Sequence, residues 1–186
     1  MATLWIDSVE NGPMERAPGR LTLSEDDRRV LASWAADCAE HVLGLFEAQA
    51  PSDSRPRAAI DGLRAFGRGE LKVGPARALS VAAHAAAREV GDARGSGAAV
   101  AAARAAGQAV ATAHMAAHAR GAPAYAAVAA GLADPSDKGA ADAELAWTID
   151  HATTDVRAVL ARLPEPPAKG GQLGAFVRRI HEAAMR

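Results

Sequence analysis

Cysteine, aromatic residues and net charge are all scarce in this chain of 186 residues. The single cysteine, Cys38, excludes an internal disulfide and any zinc site built on paired cysteines. Aromatic residues make up 4 % of the chain, and strand-favouring Ile, Tyr, Phe and Thr are scarce, which argues against a sheet-dominated fold. A formal net charge of −1 excludes a strongly basic nucleic-acid binder held by phosphate contacts. Long uncharged apolar runs are missing too. The stretch Ala98–Ala119 is broken by Arg104, Gln108, His114 and His118, so nothing approaches the roughly 20 apolar residues a bilayer requires. Met1–Arg20 has no basic start followed by an apolar core, so no signal peptide is expected and the expected compartment is the cytoplasm.

Alanine is what the chain has in abundance: 50 residues, more than half of the apolar 49 %. It is the best helix former and a poor strand former. The expected fold class is therefore all-α, a compact multi-helix bundle or stacked helical pairs of about seven helices. Small side chains let helix axes approach closely, so the few large residues anchor the core: Trp34, Phe46, Leu63, Phe66, Leu79, Ile149 and Leu160.

Residues 1–22 read as an N-terminal arm, broken by Asn11-Gly12-Pro13 and Pro18-Gly19, with Leu4, Trp5 and Ile6 able to dock on the body. Residues 23–163 read as the helical domain. Ser24 with Asp27 forms a capping box before an amphipathic helix over 25–49. Further helices are expected over 55–66, 75–90, 98–120, 123–133 and 141–163, with Gly121 as a left-handed cap on the fourth. Residues 164–186 form a Pro/Gly hinge and a C-terminal helix over 173–185. The echo between Ala82-Ala83-His84-Ala85 and Ala116-Ala117-His118-Ala119 is of the kind an alanine-rich chain gives by chance.

Four placements bear on chemistry. His114 and His118 stand at i, i+4 on the expected fourth helix, close enough for two imidazoles on one metal, but no third ligand accompanies them; no metal and no cofactor is expected. His114 continues the Val100, Ala103, Gly107, Val110 stripe and is expected to face the interior, where desolvation favours its neutral form. His84 shares a face with Arg77 and Arg88, a cationic surface suited to an acidic partner or to solvent. Cys38 and His41, three apart, have the spacing of a thiol–imidazole dyad, though Cys38 lies on the apolar stripe. Trp147 falls on the polar side of the sixth helix with Glu144, His151 and Arg162, either covered by the chain's own arm or loop or offered to a partner. No catalytic set is complete, so no catalytic residue is assigned and the balance leans away from an enzyme.

The order of segments from Leu23 to Leu163 resembles the Imm5-like family of bacterial, largely actinobacterial immunity proteins. The residues that carry the resemblance are the run Leu23–Leu31, Trp34–Glu40, Leu45-Phe46-Glu47, Pro51–Ile60, Ala65–Glu70, Ala82–Arg88, Ala106–Ala119, Ala124-Tyr125-Ala126 and Glu144–Trp147. The resemblance implies an all-helical intracellular protein that neutralises a partner toxin by binding and occluding it, without catalysis. The N-terminal arm and C-terminal helix depart from the family pattern and could serve a ligand, a homodimer contact or a lid. Beside this stands a different class, a small-molecule-binding protein or enzyme with an inter-helix pocket lined by His84, His114 and His118, of a kind encoded in a biosynthetic operon. The candidate binding residues are thus His84, Arg88, His114, His118 and Trp147, for a protein or small-molecule partner, with no nucleic acid and no membrane.

Overall fold

The computed structural model describes residues 23–91, 93 and 95–186; the N-terminal arm lies outside them. Among the described residues the fold is all-α, with no strand and nine α-helices. They are α1 (Glu25–His41), α2 (Leu43–Gln49), α3 (Arg55–Gly67), α4 (Val73–Val90), α5 (Gly97–Ala111), α6 (Gly121–Ala133), α7 (Ala140–Asp150), α8 (Thr154–Ala161) and α9 (Gly171–Ala184). A 3-10 segment, Ala116–Arg120, precedes α6. No helix among them is long and apolar enough to cross a membrane.

The Ser24 capping box forms as the sequence indicates. Ser24 Oγ accepts from the Asp27 amide and the Asp27 carboxylate accepts from the Ser24 amide, each at 3.0 Å. Asp27 also receives Arg162 from the end of α8, at 2.7 and 3.0 Å, and the guanidinium holds its carboxyl below the usual range. Four neighbours of α5, namely α1, α3, α4 and α6, wrap it on most sides, with α2 against it as well. Eleven of the fifteen α5 residues are buried, which alanine and glycine permit because they hold the axes close.

The helix count exceeds seven because two expected helices are broken, and a third expected helix ends early. The 25–49 helix turns at Val42 (φ −109°, ψ 0°), which lets both Leu43 and Phe46 reach the core against α5. The 98–120 helix stops at Ala111. Thr112, fully buried, bonds back from Oγ1 to the Gln108 carbonyl (3.4 Å). The next amides switch to i−3 partners: Thr112 to Ala109, Ala113 to Val110 and His114 to Ala111. Gly121 is therefore not a left-handed cap. It opens α6 with φ −71°. The 141–163 helix breaks at His151–Thr153, where Thr153 caps α8 through its side chain. Arg157 braces the break by donating to the carbonyls of Ala152 (3.0 Å) and Ile149 (3.1 Å), the second of which also accepts from the Ala152 amide (3.2 Å).

Of the expected large anchors, Phe46, Leu63 and Phe66 are fully buried and Trp34 and Leu160 nearly so, whereas Leu79 and Ile149 are only partly buried at the edge of the core. Trp34 ties α1 to α7 by donating Nε1–H to the Thr148 carbonyl at 2.9 Å. Beyond the proline-rich stretch, α9 places Phe176 and Ile180 in the same core cluster. Buried Arg120 adds a polar tie there, donating to His181 Nδ1 (3.1 Å) and to the Pro164 carbonyl (3.0 Å). Burial pushes the Arg120 guanidinium down to about 10, and its Nε has no partner among the described residues.

Candidate functional site

The first candidate site grows from one close approach between α4 and α5. Gly107 leaves room there for the His84 ring: a Cβ on Gly107 would lie 2.7 Å from His84 Cε1. Ser80 Oγ, one turn earlier on α4, donates to the Gly107 carbonyl at 3.0 Å and fixes the register. The neighbouring residue, Gln108, reaches the other way and rests on Gly121 at the start of α6. Its Oε1 accepts from His118 Nδ1 at 2.8 Å. The His114 ring stands 5.3 Å from that of His118, tilted by 52°.

Three histidines expected on two helices therefore meet around Gly107 and Gln108 from three different elements. His84 comes from α4, His114 from the turn after α5, and His118 from the 3-10 segment. The i, i+4 geometry on a single helix is corrected: the helix ends before His114, and the turn brings the rings together instead. Burial first, then the neighbouring His114 and His84, push His118 down to about 4, so it is a neutral donor at ordinary pH. Gln108 is 3 % exposed, and its Nε2 is buried without a partner among the described residues. Among those residues no three His, Cys, Asp or Glu side chains are set to hold a metal ion.

The second site lies on α1 and α7. Trp147 does not share a helix with Arg162, because the break at His151–Thr153 separates them and Arg162 turns to Asp27. Its cover is His41, stacked on the indole at 3.9 Å and 6°, with His151 on the other side at 3.9 Å and 30°. His41 donates Nδ1–H to the buried Glu144 carboxylate at 2.8 Å, and His151 Nδ1 donates to the Trp147 carbonyl at 2.8 Å. His41 was legible in the sequence only as a neighbour of Cys38; no spacing signals its stack on Trp147.

Glu144, not Cys38, takes the His41 proton donor. Cys38 is fully buried, and burial together with the negative charges of Glu144 and Asp37 raises its thiol well above the usual value. A thiol reagent added to the native protein should leave Cys38 unmodified, with one equivalent of reaction appearing only on unfolding. Fast labelling of the native state would show an accessible thiolate.

Arg88 lies exposed one turn beyond His84, with no hydrogen bond or ion pair among the described residues. Two cavities lie away from the histidines. A cleft of about 250 Å³ is lined by Val128, Leu132, Asp137, Lys138, Ala141 and Gln172 between α6, α7 and α9, and a void of about 10 Å³ lies beside Trp34.

A family model described as Imm-5 like putative immunity protein matches residues 21–155. No curated protein and no solved structure matches the chain.

Proposed function

The chain belongs to the Imm-5 like immunity protein family, and from that membership we propose that it is a non-enzymatic binding protein that neutralises a partner toxin by occluding it. The match over 21–155 carries this reading. The chemistry of the core supports it: the one thiol is buried and held protonated, and His118 is neutral and engaged by Gln108. Such groups suit a rigid body better than a proton-transfer site. Co-expression with each neighbouring gene product that arrests growth on its own tests it. Growth should be restored by this chain, and a toxin that kills at full strength in its presence would overturn the reading.

One observation favours a second reading, a small polar ligand among the histidines: the unpartnered Nε2 of Gln108 beside His118. In that case His118→Asn and Gln108→Leu would each abolish ligand binding while leaving toxin protection, if any, unchanged.

A further inference from the structure

Between Leu71 and Ala133 the acidic residues are Glu89 and Asp92, out of 22 in the chain. That span supplies α4, α5, the 3-10 segment and α6. On α3, by contrast, Arg55 pairs with Asp53, Arg57 with Glu47 and Arg64 with Glu40. Arg77, Arg88 and Arg104 form no hydrogen bond or ion pair among the described residues.

These three share one face. On α4, Arg77, Val81, His84 and Arg88 recur at helical spacing along the side where His84 meets Gly107 of α5. Glu89 is on the far flank, paired with Arg55 of α3. Arg104 lies on the α5 stripe that also carries Val100 and Gly97. A Cβ on Gly91, at the end of α4, would lie 3.5 Å from Val100 Cγ2, and one on Gly97 would lie 3.5 Å from Leu132 Cδ1 of α6. Arg104 thus stands between α4 and α6. Of the five large apolar side chains exposed among the described residues, Val81 (61 %) stands between Arg77 and His84 on α4, Leu132 (50 %) lies on α6 beside Gly97 of α5, and Met115 (40 %) follows His114 in the turn after α5.

We propose that this α4–α5–α6 face is the docking surface for a protein partner, and that the partner presents an acidic surface with apolar side chains interleaved. The proposal rests on the immunity reading and adds the partner's chemistry to it. Arginine and methionine beside exposed aliphatics is the composition of a protein interface rather than of a solvated face. Three arginines interrupted by apolar side chains form a poor track for a phosphate backbone, and the carboxylates concentrated on the rest of the chain would repel one. Unpaired arginines also cost little to commit, because no internal ion pair must be broken first.

The test titrates the purified full chain with an acidic peptide carrying glutamate at most positions and leucine at every fourth, read by amide NMR shifts. Shifts should centre on α4 and α5. The Arg77→Glu/Arg88→Glu variant should weaken binding by about tenfold or more, and Val81→Ser/Met115→Ser by about threefold or more. Arg104→Gln joins the set, and the two exposed α4 positions carry the test alone if it does not fold. Equal binding by the reversal variant, shifts centred elsewhere, or no loss on removing the apolar pair would overturn the proposal. Tighter binding of duplex DNA than of the peptide at the same ionic strength would assign the face to nucleic acid instead. Contacts between the Trp5 indole and Met115 or Leu132 in the free chain would assign it to the chain's own N-terminus, and a dimer dispersed by the charge reversal would assign it to a second copy; either result overturns the partner proposal. Toxin protection that survives the reversal would sink the face and spare the immunity reading. Absent protection by the unaltered chain would sink that reading, and the peptide titration still decides the face.

Discussion

Alanine at both Phe176 and Ile180 should remove about 5 kcal/mol or more of stability, since Phe→Ala costs roughly 3–5 and Ile→Ala roughly 2–5 kcal/mol in a packed core. Both side chains are essentially buried in the cluster that also holds Trp34 and Leu160. The loss is comparable to the whole stability of many domains, about 5–15 kcal/mol. The two stand one turn apart on α9 in the same core cluster, so the double variant need not equal the sum of the singles. α9 is reached through Pro164, Pro166 and Pro167 and begins at two left-handed glycines (φ 109° and 56°), a junction with little helical continuity of its own. Its hold on the body includes the pair of apolar anchors, the partly buried Leu173 and Val177, the Arg120–His181 bond and the Arg179–Asp142 ion pair to α7. Urea denaturation of the double variant measures this, and a loss under about 1 kcal/mol would show that α9 rests on the core without belonging to it.

The acid limb of stability should belong largely to His118. Its pKa falls from 6.5 in the unfolded chain to about 4 in the fold. Between those values the unfolded chain binds the proton and the folded chain does not, so stability is full above about 6.5 and drains as the pH falls toward 4. The drop amounts to roughly 3 kcal/mol, at 1.36 kcal/mol per pKa unit. Asp27 and the other carboxylates held down by arginine add a separate loss at still lower pH, as they protonate. His118→Asn keeps a donor toward Gln108 Oε1 and removes the titration. Its unfolding free energy should fall much less from pH 7 to pH 4.5 than that of the unaltered chain, the remainder belonging to His181, which burial and the neighbouring Arg120 also hold below its usual value. Parallel curves would mean that His118 is protonated in the fold as readily as in the unfolded chain.

Local signals were legible where they act locally. The Ser24–Asp27 box, the prolines before α9 and the apolar stripes of α3 and α4 give those elements within a few residues. The breaks at Val42, Thr112 and His151–Thr153 were not, because each is decided by partners that composition does not reveal. Thr112 competes for the Gln108 carbonyl, Arg157 captures two carbonyls at the end of α7, and Leu43 must turn toward α5. The histidine cluster shows the same limit. Spacing places His114 near His118, but by way of a helix that does not extend so far; His84 joins them because Gly107 has no side chain. Trp147 stood out as a large residue on a polar face, yet its cover came from His41, remote in sequence and recruited by Glu144. Periodicity sees one helix at a time, and these contacts are made between helices.

Occlusion of a toxin requires one molecule of this chain per molecule of toxin. The most direct measurement takes a toxin that this chain suppresses on co-expression, titrates it in purified form with the purified chain, and follows residual toxin activity. The account predicts a straight decline that ends at one equivalent, with a complex of that stoichiometry in sedimentation and the toxin recovered active on dissociation. Activity that disappears at a small fraction of an equivalent, or toxin that stays inactive after the chain is removed, would show a catalytic turnover of the toxin and contradict it.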